Sequence, residues 1–233
     1  IIAAASGLYA FCADNEYGAE VYCGATSEKQ AWEVFKPALA MAKKLPALRK
    51  RFGVVVWAKK LERADGSKFE PVIGDPGDGS SPSMAIIDEY HEHPDSNLYD
   101  TMISGMGARL QPLILAITTA GFDIAGPCYA HRERCIEMLD GTGGQPDDEL
   151  FALIYTIDKD DDWTSEEALL KANPNADVSV GLDWLKSQIA TAVARARTAN
   201  RIKTKHLNVW VSSKEGFFNM EAWRKCEDRT LTL

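Results

Sequence analysis

The 233-residue chain carries 26 Lys+Arg against 34 Asp+Glu, a formal net charge of −8, with 45% apolar and 26% charged residues. That balance leaves ample apolar surface to bury, which excludes general disorder, a coiled coil and a collagen-like fibre. It also excludes a protein that coats nucleic acid by overall charge alone, while leaving room for a local basic face. The length fits one large domain, or one domain with a small appendage. Five scattered cysteines, Cys12, Cys23, Cys128, Cys135 and Cys226, read as reduced thiols in a cytosolic setting rather than as a disulfide framework.

The opening stretch, Ile1 to Ala13, is apolar nearly all round, the pattern of a helix buried on most faces. It has no basic residue before it, is interrupted by Ser6 and Gly7, and is shorter than the roughly 20 residues that span a bilayer. Neither a membrane span nor an export signal is expected. The chain begins inside this helix, as though cut from something longer. Glu20–Gly24 is a short β-rich run, and Ser27 with Gln30 forms a capping box for a helix to about Leu45. Pro37 is expected to kink or split that helix. Val54–Trp57 is a second strand, and Asp65-Gly66 turns a hairpin between Lys60–Arg63 and Lys68–Ile73. Gly74–Pro82 is a loop.

Met84–Asp88 reads as a buried strand, residues 98–106 as a helix, and Pro112–Thr119 as another buried strand with a polar end. Cys128–Leu139 is helical, Leu150–Ile157 a strand, and Asp158–Asp162, with four acids in five residues, a solvated turn. A long helix over Leu182–Ile202 and a short one over Asn219–Cys226 complete the chain. Apolar strands alternating with helices point to a mainly parallel α/β sheet covered on both faces.

The sharpest chemical feature is Met84-Ala-Ile-Ile-Asp88-Glu89. Four apolar residues push a carboxylate pair out at the carboxyl end of a strand, where open α/β sheets bind their ligands. Asp88 is suited to hold Mg²⁺, and Glu89 to polarise a water for attack on a phosphate. One strand later comes Ile117-Thr118-Thr119-Ala120-Gly121, whose two hydroxyls can bond a γ-phosphate or the attacking water. Either signal alone also fits an ordinary strand end. Together, at adjacent strand ends, they favour a nucleotide site.

Gly79 through His93, Gly107 to Leu113 and Ile117 to Asp123 resemble the large terminase subunit of tailed bacteriophages, in the branch typified by the HK97-like phages. Gly24-Ala25-Thr26 with Gln30-Ala31 upstream, and His206–Trp210, Phe218–Met220 and Trp223 downstream, extend the resemblance. It implies a P-loop NTPase-type α/β fold of the additional-strand, catalytic-Glu class, and an ATPase that drives viral DNA into the procapsid. Residues 1–157 would be the ATPase core and 158–233 a small, mostly helical lid or linker toward a nuclease domain beyond the chain. By that resemblance Asp88 binds the metal, Glu89 is catalytic, and Thr118 and Thr119 sense the γ-phosphate. ATP and Mg²⁺ are the implied cofactors. The implied partners are double-stranded viral DNA, the portal protein, the small terminase subunit and further copies in a ring, in the host cytoplasm and without a membrane. No Gly-x-x-x-x-Gly-Lys-[Ser/Thr] phosphate loop occurs in the sequence, so weak or no ATP binding is expected of the 233 residues alone.

Arg109, between the acid and threonine couplets, is a candidate catalytic arginine acting in trans. From Asp183 to Glu215 no acid interrupts Lys186, Arg195, Arg197, Arg201, Lys203, Lys205 and Lys214, a stretch suited to DNA phosphates or to a solvated helix. His91-Glu92-His93 reads as a polar surface loop before it reads as metal ligands, and Cys128, His131 and Cys135 as a core-facing stripe. The tryptophans at 32, 57, 184, 210 and 223 read as core. Two other readings stand beside the motor: a non-hydrolysing assembly module, and a metal-dependent nuclease using Asp88, Glu89 and His91.

Overall fold

Strand register decides the architecture. A computed structural model describes residues 1–73, 79–144 and 147–212, and by internal contacts it divides into two units, 1–118 and 119 onward. The sequence reading draws its boundary later, after residue 157.

In the first unit six strands form one sheet in the order β2-β3-β4-β1-β5-β6. β1 (Glu20–Ala25), β4 (Lys68–Ile73), β5 (Met84–Asp88) and β6 (Leu113–Ile117) run parallel. β2 (Val55–Val56) and β3 (Leu61–Glu62) add an antiparallel edge, through the hairpin expected at Gly66, whose φ is +86°. β1 is buried from Val21 to Ala25 and β5 from Met84 to Ile87. Such continuous burial is what the centre of a parallel sheet requires, since helices cover both faces.

Helices α1 (Ile2–Cys12) and α2 (Glu28–Lys44) pack on one face with Val21, Cys23, Met84 and Ile86. Phe69 sits in the middle of this layer, edge-on to Phe35 at 5.3 Å and tilted against Phe11 at 6.4 Å. Gly7 lets α1 settle there: a β-carbon at that position would stand 2.6 Å from the Phe69 ring and 3.1 Å from Ile86. Ser27 caps α2 by accepting from the Gln30 amide at 3.3 Å. Pro37 does not split α2, which runs unbroken through it. The break falls instead at Leu45, and α3 (Pro46–Phe52) starts with Pro46 at its first turn, where the missing N–H costs no helical bond. On the other face α4 (Asn97–Gly105) lays Leu98 directly over Gly24.

The second unit is helical. α5 (Pro127–Asp140), α6 (Glu166–Ala172), α7 (Leu182–Ala194) and α8 (Ala196–Leu207) follow in order, and Leu169, Leu185, Ile189, Ile202 and Leu207 form the small core of the last three. The expected long helix over 182–202 is two, broken at Arg195, whose extended backbone (φ −134°, ψ 91°) cannot continue a helical turn. The expected strand over 150–157 has the alternation but no ladder. Phe151, Leu153 and Tyr155 are exposed in an extended run with no strand partner among the described residues. Cys128 and Cys135 are buried, as the stripe reading requires. The short helix expected at 219–226, with Phe218, Trp223, Cys226 and Lys214, lies outside the described residues.

Candidate functional site at the carboxyl ends of the central strands

β5 pairs with β6 so that Asp88 stands opposite Ile117. The acid couplet and Thr118 therefore leave the sheet side by side, because parallel strands in this register end together. α1 reaches the same rim with its amino end. α1 precedes the parallel strand β1, which puts its first turn, without a side-chain cap, at the carboxyl rim, where its N–H groups and positive dipole favour negative charge. A helix amino end beside a strand-end acid is an arrangement that suits a phosphate bridged to a cation.

Asp88 is half-buried. Burial raises its carboxyl above the usual range, an effect that the Glu89 amide opposes by donating to Oδ1 at 3.0 Å, that Glu33 adds to, and that His93 and the amino group oppose. A carboxylate held partly out of water gains by meeting a cation. Mg²⁺ is a hard ion that takes oxygen ligands and usually keeps waters and substrate phosphates beside one or two carboxylates. Asp88 fits that use. Among the described residues no group of three or more His, Cys, Asp or Glu side chains stands where it could hold a metal without such help.

Glu89 has φ +49° and ψ 48°, the left-handed region, at the start of a 3-10 turn over Tyr90–Glu92. A non-glycine residue costs about 1 kcal/mol or more there and persists because its surroundings fix it. Those surroundings are Tyr90, buried and stacked on Tyr99 at 5.5 Å, and His93, which meets Tyr90 edge-on at 5.6 Å and reaches the Asp88 carbonyl with Nε2 at 3.2 Å. The turn redirects the chain at once, placing Glu89 next to Asp88 rather than one pleat further along the strand.

The histidines are not the solvated loop expected from sequence. His93 is 7% exposed, and burial lowers its pKa. The His91 side chain is 3% exposed, and its Nδ1 lies 2.8 Å from Thr118 Oγ1 and 3.2 Å from Glu89 Oε2. His91 N–H also donates to Thr118 Oγ1, at 3.0 Å, and Nε2 lies 3.2 Å from Glu92 Oε1. Thr118 and Thr119 part company. Thr119 Oγ1 donates to the Ala120 carbonyl and receives Lys205 Nζ at 3.3 Å. Asn208, left-handed at the end of α8, accepts from the Ala120 amide at 3.3 Å.

Arg109 is not brought to this rim. It precedes β6 and lies at the amino ends of the strands. Its guanidinium donates to the carbonyls of Ser81 (Nε, 2.7 Å), Tyr17 (3.2 Å) and Gly18 (3.1 Å), and lies 3.5 Å from Glu16 and 3.7 Å from Glu20. With a side chain 10% exposed, it clamps this chain's own backbone. The structure therefore does not bring Arg109 together with Asp88, Glu89 and Thr118 of the same chain. In the basic stretch, Lys186 pairs with Glu166 at 2.7 Å and Lys203 lies 4.0 Å over the Trp163 ring.

Of the residues around the couplets, sequence reasoning named His91 only in the nuclease reading and gave Glu33 no role. The pairing of β5 with β6 was the available signal, since it sets whatever follows Asp88 against whatever follows Ile117.

The family described as "Terminase large subunit, ATPase domain" matches residues 1–137, and "Terminase large subunit, endonuclease domain" matches 145–232. The second match covers the segment that the sequence reading treats as a lid preceding a nuclease outside the chain. Protein YmfN of Escherichia coli (strain K12) is 57% identical over 157 residues, 67% of this chain and 34% of that protein. The terminase large subunit of Enterobacteria phage HK97 is 25% identical over 212 residues, 89% of this chain and 41% of that one. The crystal structure of the HK97 large terminase shares the fold with a TM-score of 0.77 at 23% identity, over 97% of this chain and 47% of that one. The chain thus spans about a third to a half of the length of the relatives it matches. With a family match over more than half its length, residues 1–137, the chain belongs to the terminase large subunit family.

Proposed function

We propose that this chain is the ATPase motor region of a DNA-packaging terminase, hydrolysing ATP to drive double-stranded viral DNA into a procapsid. The observation that carries the reading is the meeting of Asp88, Glu89, Thr118 and the α1 amino end at the carboxyl rim of neighbouring parallel strands. Asp88 would hold Mg²⁺, which when bound would supply positive charge against the phosphates of ATP. Glu89 orients the attacking water and takes its proton, acting as the general base. Thr118 contacts the γ-phosphate or the water, and Thr119 relays the state of that contact toward α8. The portal protein, the small terminase subunit and further copies in a ring are the proposed partners, in the host cytoplasm. No phosphate loop occurs in the 233 residues, so calorimetry on them alone is expected to show weak or no Mg·ATP binding.

The test is Glu89→Gln in this chain fused behind the amino-terminal segment that precedes the matched region of the HK97 large subunit. Mg·ATP binding should persist within a few-fold while turnover falls by about 10²–10⁴, the contribution of a positioned general base. Unchanged turnover would refute the assignment. The nuclease reading of Asp88, Glu89 and His91 predicts loss of metal-dependent DNA cleavage in the same variant. The assembly-module reading predicts no turnover in the fused wild type.

A further inference from the structure

Between Lys29 and Lys60 the sequence has nine basic residues and a single acid, Glu33, in a chain whose net charge is −8. Seven of the nine fall on α2 and α3, and those of α2 are regularly spaced. Lys29, Lys36 and Lys43 are seven residues apart, close to two helical turns, so they stand in one row along the helix. The row steps by about 10.5 Å and is about 21 Å long, at 1.5 Å of rise per residue. All three lysines are exposed, and so is Lys44 beside them. Other lysines of the surface are matched to acids: Lys59 meets Glu28 at 3.2 Å, Lys171 meets Asp161 at 2.6 Å and Lys186 meets Glu166 at 2.7 Å. Among the described residues no acid stands within ion-pair reach of Lys29, Lys36, Lys43 or Lys44. α3 follows at once and carries Arg49, Lys50 and Arg51 in its last turn.

We propose that the lysine row of α2 is a surface on which this chain meets double-stranded DNA, through phosphates and without reading bases; the proposal rests on the functional reading above and deepens it by giving the DNA a face. A duplex carries one negative charge per about 1.7 Å of its axis, so the row faces about a dozen phosphates. Lysine meets a phosphate as a point charge on a flexible stem, which suits contacts that are indifferent to sequence. Other partners fit the face less well. α2 turns Val34, Phe35, Ala38 and Leu39 into the core, so it has no apolar side to sink into a membrane. The cores of protein interfaces are depleted in lysine. A single strand needs aromatic faces on which its bases stack, and the ring beside the row, Trp32, is packed edge-on against Phe35 at 5.4 Å.

The test is fluorescence anisotropy of a labelled duplex of arbitrary sequence, about 30 bp long, titrated with the 233-residue chain between about 50 and 200 mM salt. Lys29→Ala, Lys36→Ala and Lys43→Ala together should weaken binding about tenfold or more at the lower salt. They should also reduce the slope of log K against log salt by about 2.7, three contacts at about 0.9 each. Arginine at the same three positions should restore both quantities. Alanine at Arg134, Lys171 and Lys186, each already paired with an acid, removes the same charge and should leave the slope unchanged. Alanine favours a helix at least as well as lysine, so the Tm of the row variant should hold. Four results overturn the proposal: no binding by wild type at the lower salt, equal losses in the two alanine variants, a loss that arginine does not restore, or a loss that follows a fall in Tm. Unaltered DNA binding with altered self-association in sedimentation velocity also overturns it, and makes the row a contact between copies. Glu89→Gln in the fused subunit keeps the two readings apart. If that variant is inactive while the alanine row binds DNA as wild type does, the row fails and the motor stands. If the row behaves as proposed while Glu89→Gln turns over normally, the catalytic assignment fails and the DNA face stands.

Discussion

The two rims of the sheet are built from the same kinds of residue and do opposite things with them. At the amino rim Arg109 meets three carbonyls and two carboxylates, while Ser83 donates from both its amide and its hydroxyl to the Glu20 carbonyl. Every strong group there is matched within the chain, as burial demands. At the carboxyl rim Asp88 is held above its normal pKa, Glu89 sits in a backbone region that glycine prefers, and the amino end of α1 lies at the same rim. Charge near a sheet edge is therefore no sign of chemistry by itself. What sets the carboxyl rim apart is a carboxyl raised by burial beside a backbone held in the left-handed region.

That contrast can be broken most forcefully from the amino rim. Arg109→Met strands Glu16, Glu20 and the three carbonyls, and should cost about 3–5 kcal/mol in urea denaturation of the 233-residue chain, the range for breaking a buried charge network. A loss under about 1 kcal/mol would mean that the clamp is dispensable. The carboxyl rim should respond with the opposite sign. Glu89→Gly relieves the left-handed backbone and should raise stability by about 0.5–1 kcal/mol, although the base is gone. A fall would show that the side-chain contacts, not the strain, dominate that turn.

Asp88 gives the smallest and most pH-dependent effect. A carboxyl whose pKa is raised by folding binds its proton more tightly in the folded state. Its favourable contribution is complete below the ordinary carboxylate range and is lost as pH rises through the folded value. Asp88→Asn should thus match wild type near pH 3 and become progressively more stable than it toward neutrality, in urea midpoints measured across that range. A difference independent of pH would place the effect in packing rather than in charge.

Much of the first unit was legible. Met84–Asp88 is a strand because four consecutive apolar residues have no exposed face to occupy, and the bounds of β6 and α5 fall within two residues of those expected. Two readings went astray for identifiable reasons, and a third residue stands elsewhere than its place in the sequence suggests. Pro37 has the place of a helix breaker, yet packing of Val34, Phe35, Ala38 and Leu39 on the sheet carries α2 through it. Residues 150–157 alternate as a strand does, but alternation specifies an extended backbone and not a partner. Arg109 was drawn to the site by its place between the two couplets. Its position just before β6 already assigns it to the amino rim, because whatever precedes a parallel strand lies at the opposite end from whatever follows it. The burial of His91 was hidden for another reason: a left-handed turn at a glutamate has no signature in residue order.

Gly7 bears on more than close packing. It fixes how far α1 can slide or roll over Phe69, and the opening of that same helix bears on Asp88. A single methyl group added in the interior would act like a shim under a gun barrel, altering where the muzzle points without touching the target. Under the proposed motor reading, the placement of the α1 amino end is set from the middle of the hydrophobic layer, and substitutions there should lower turnover while leaving each side chain of the rim intact.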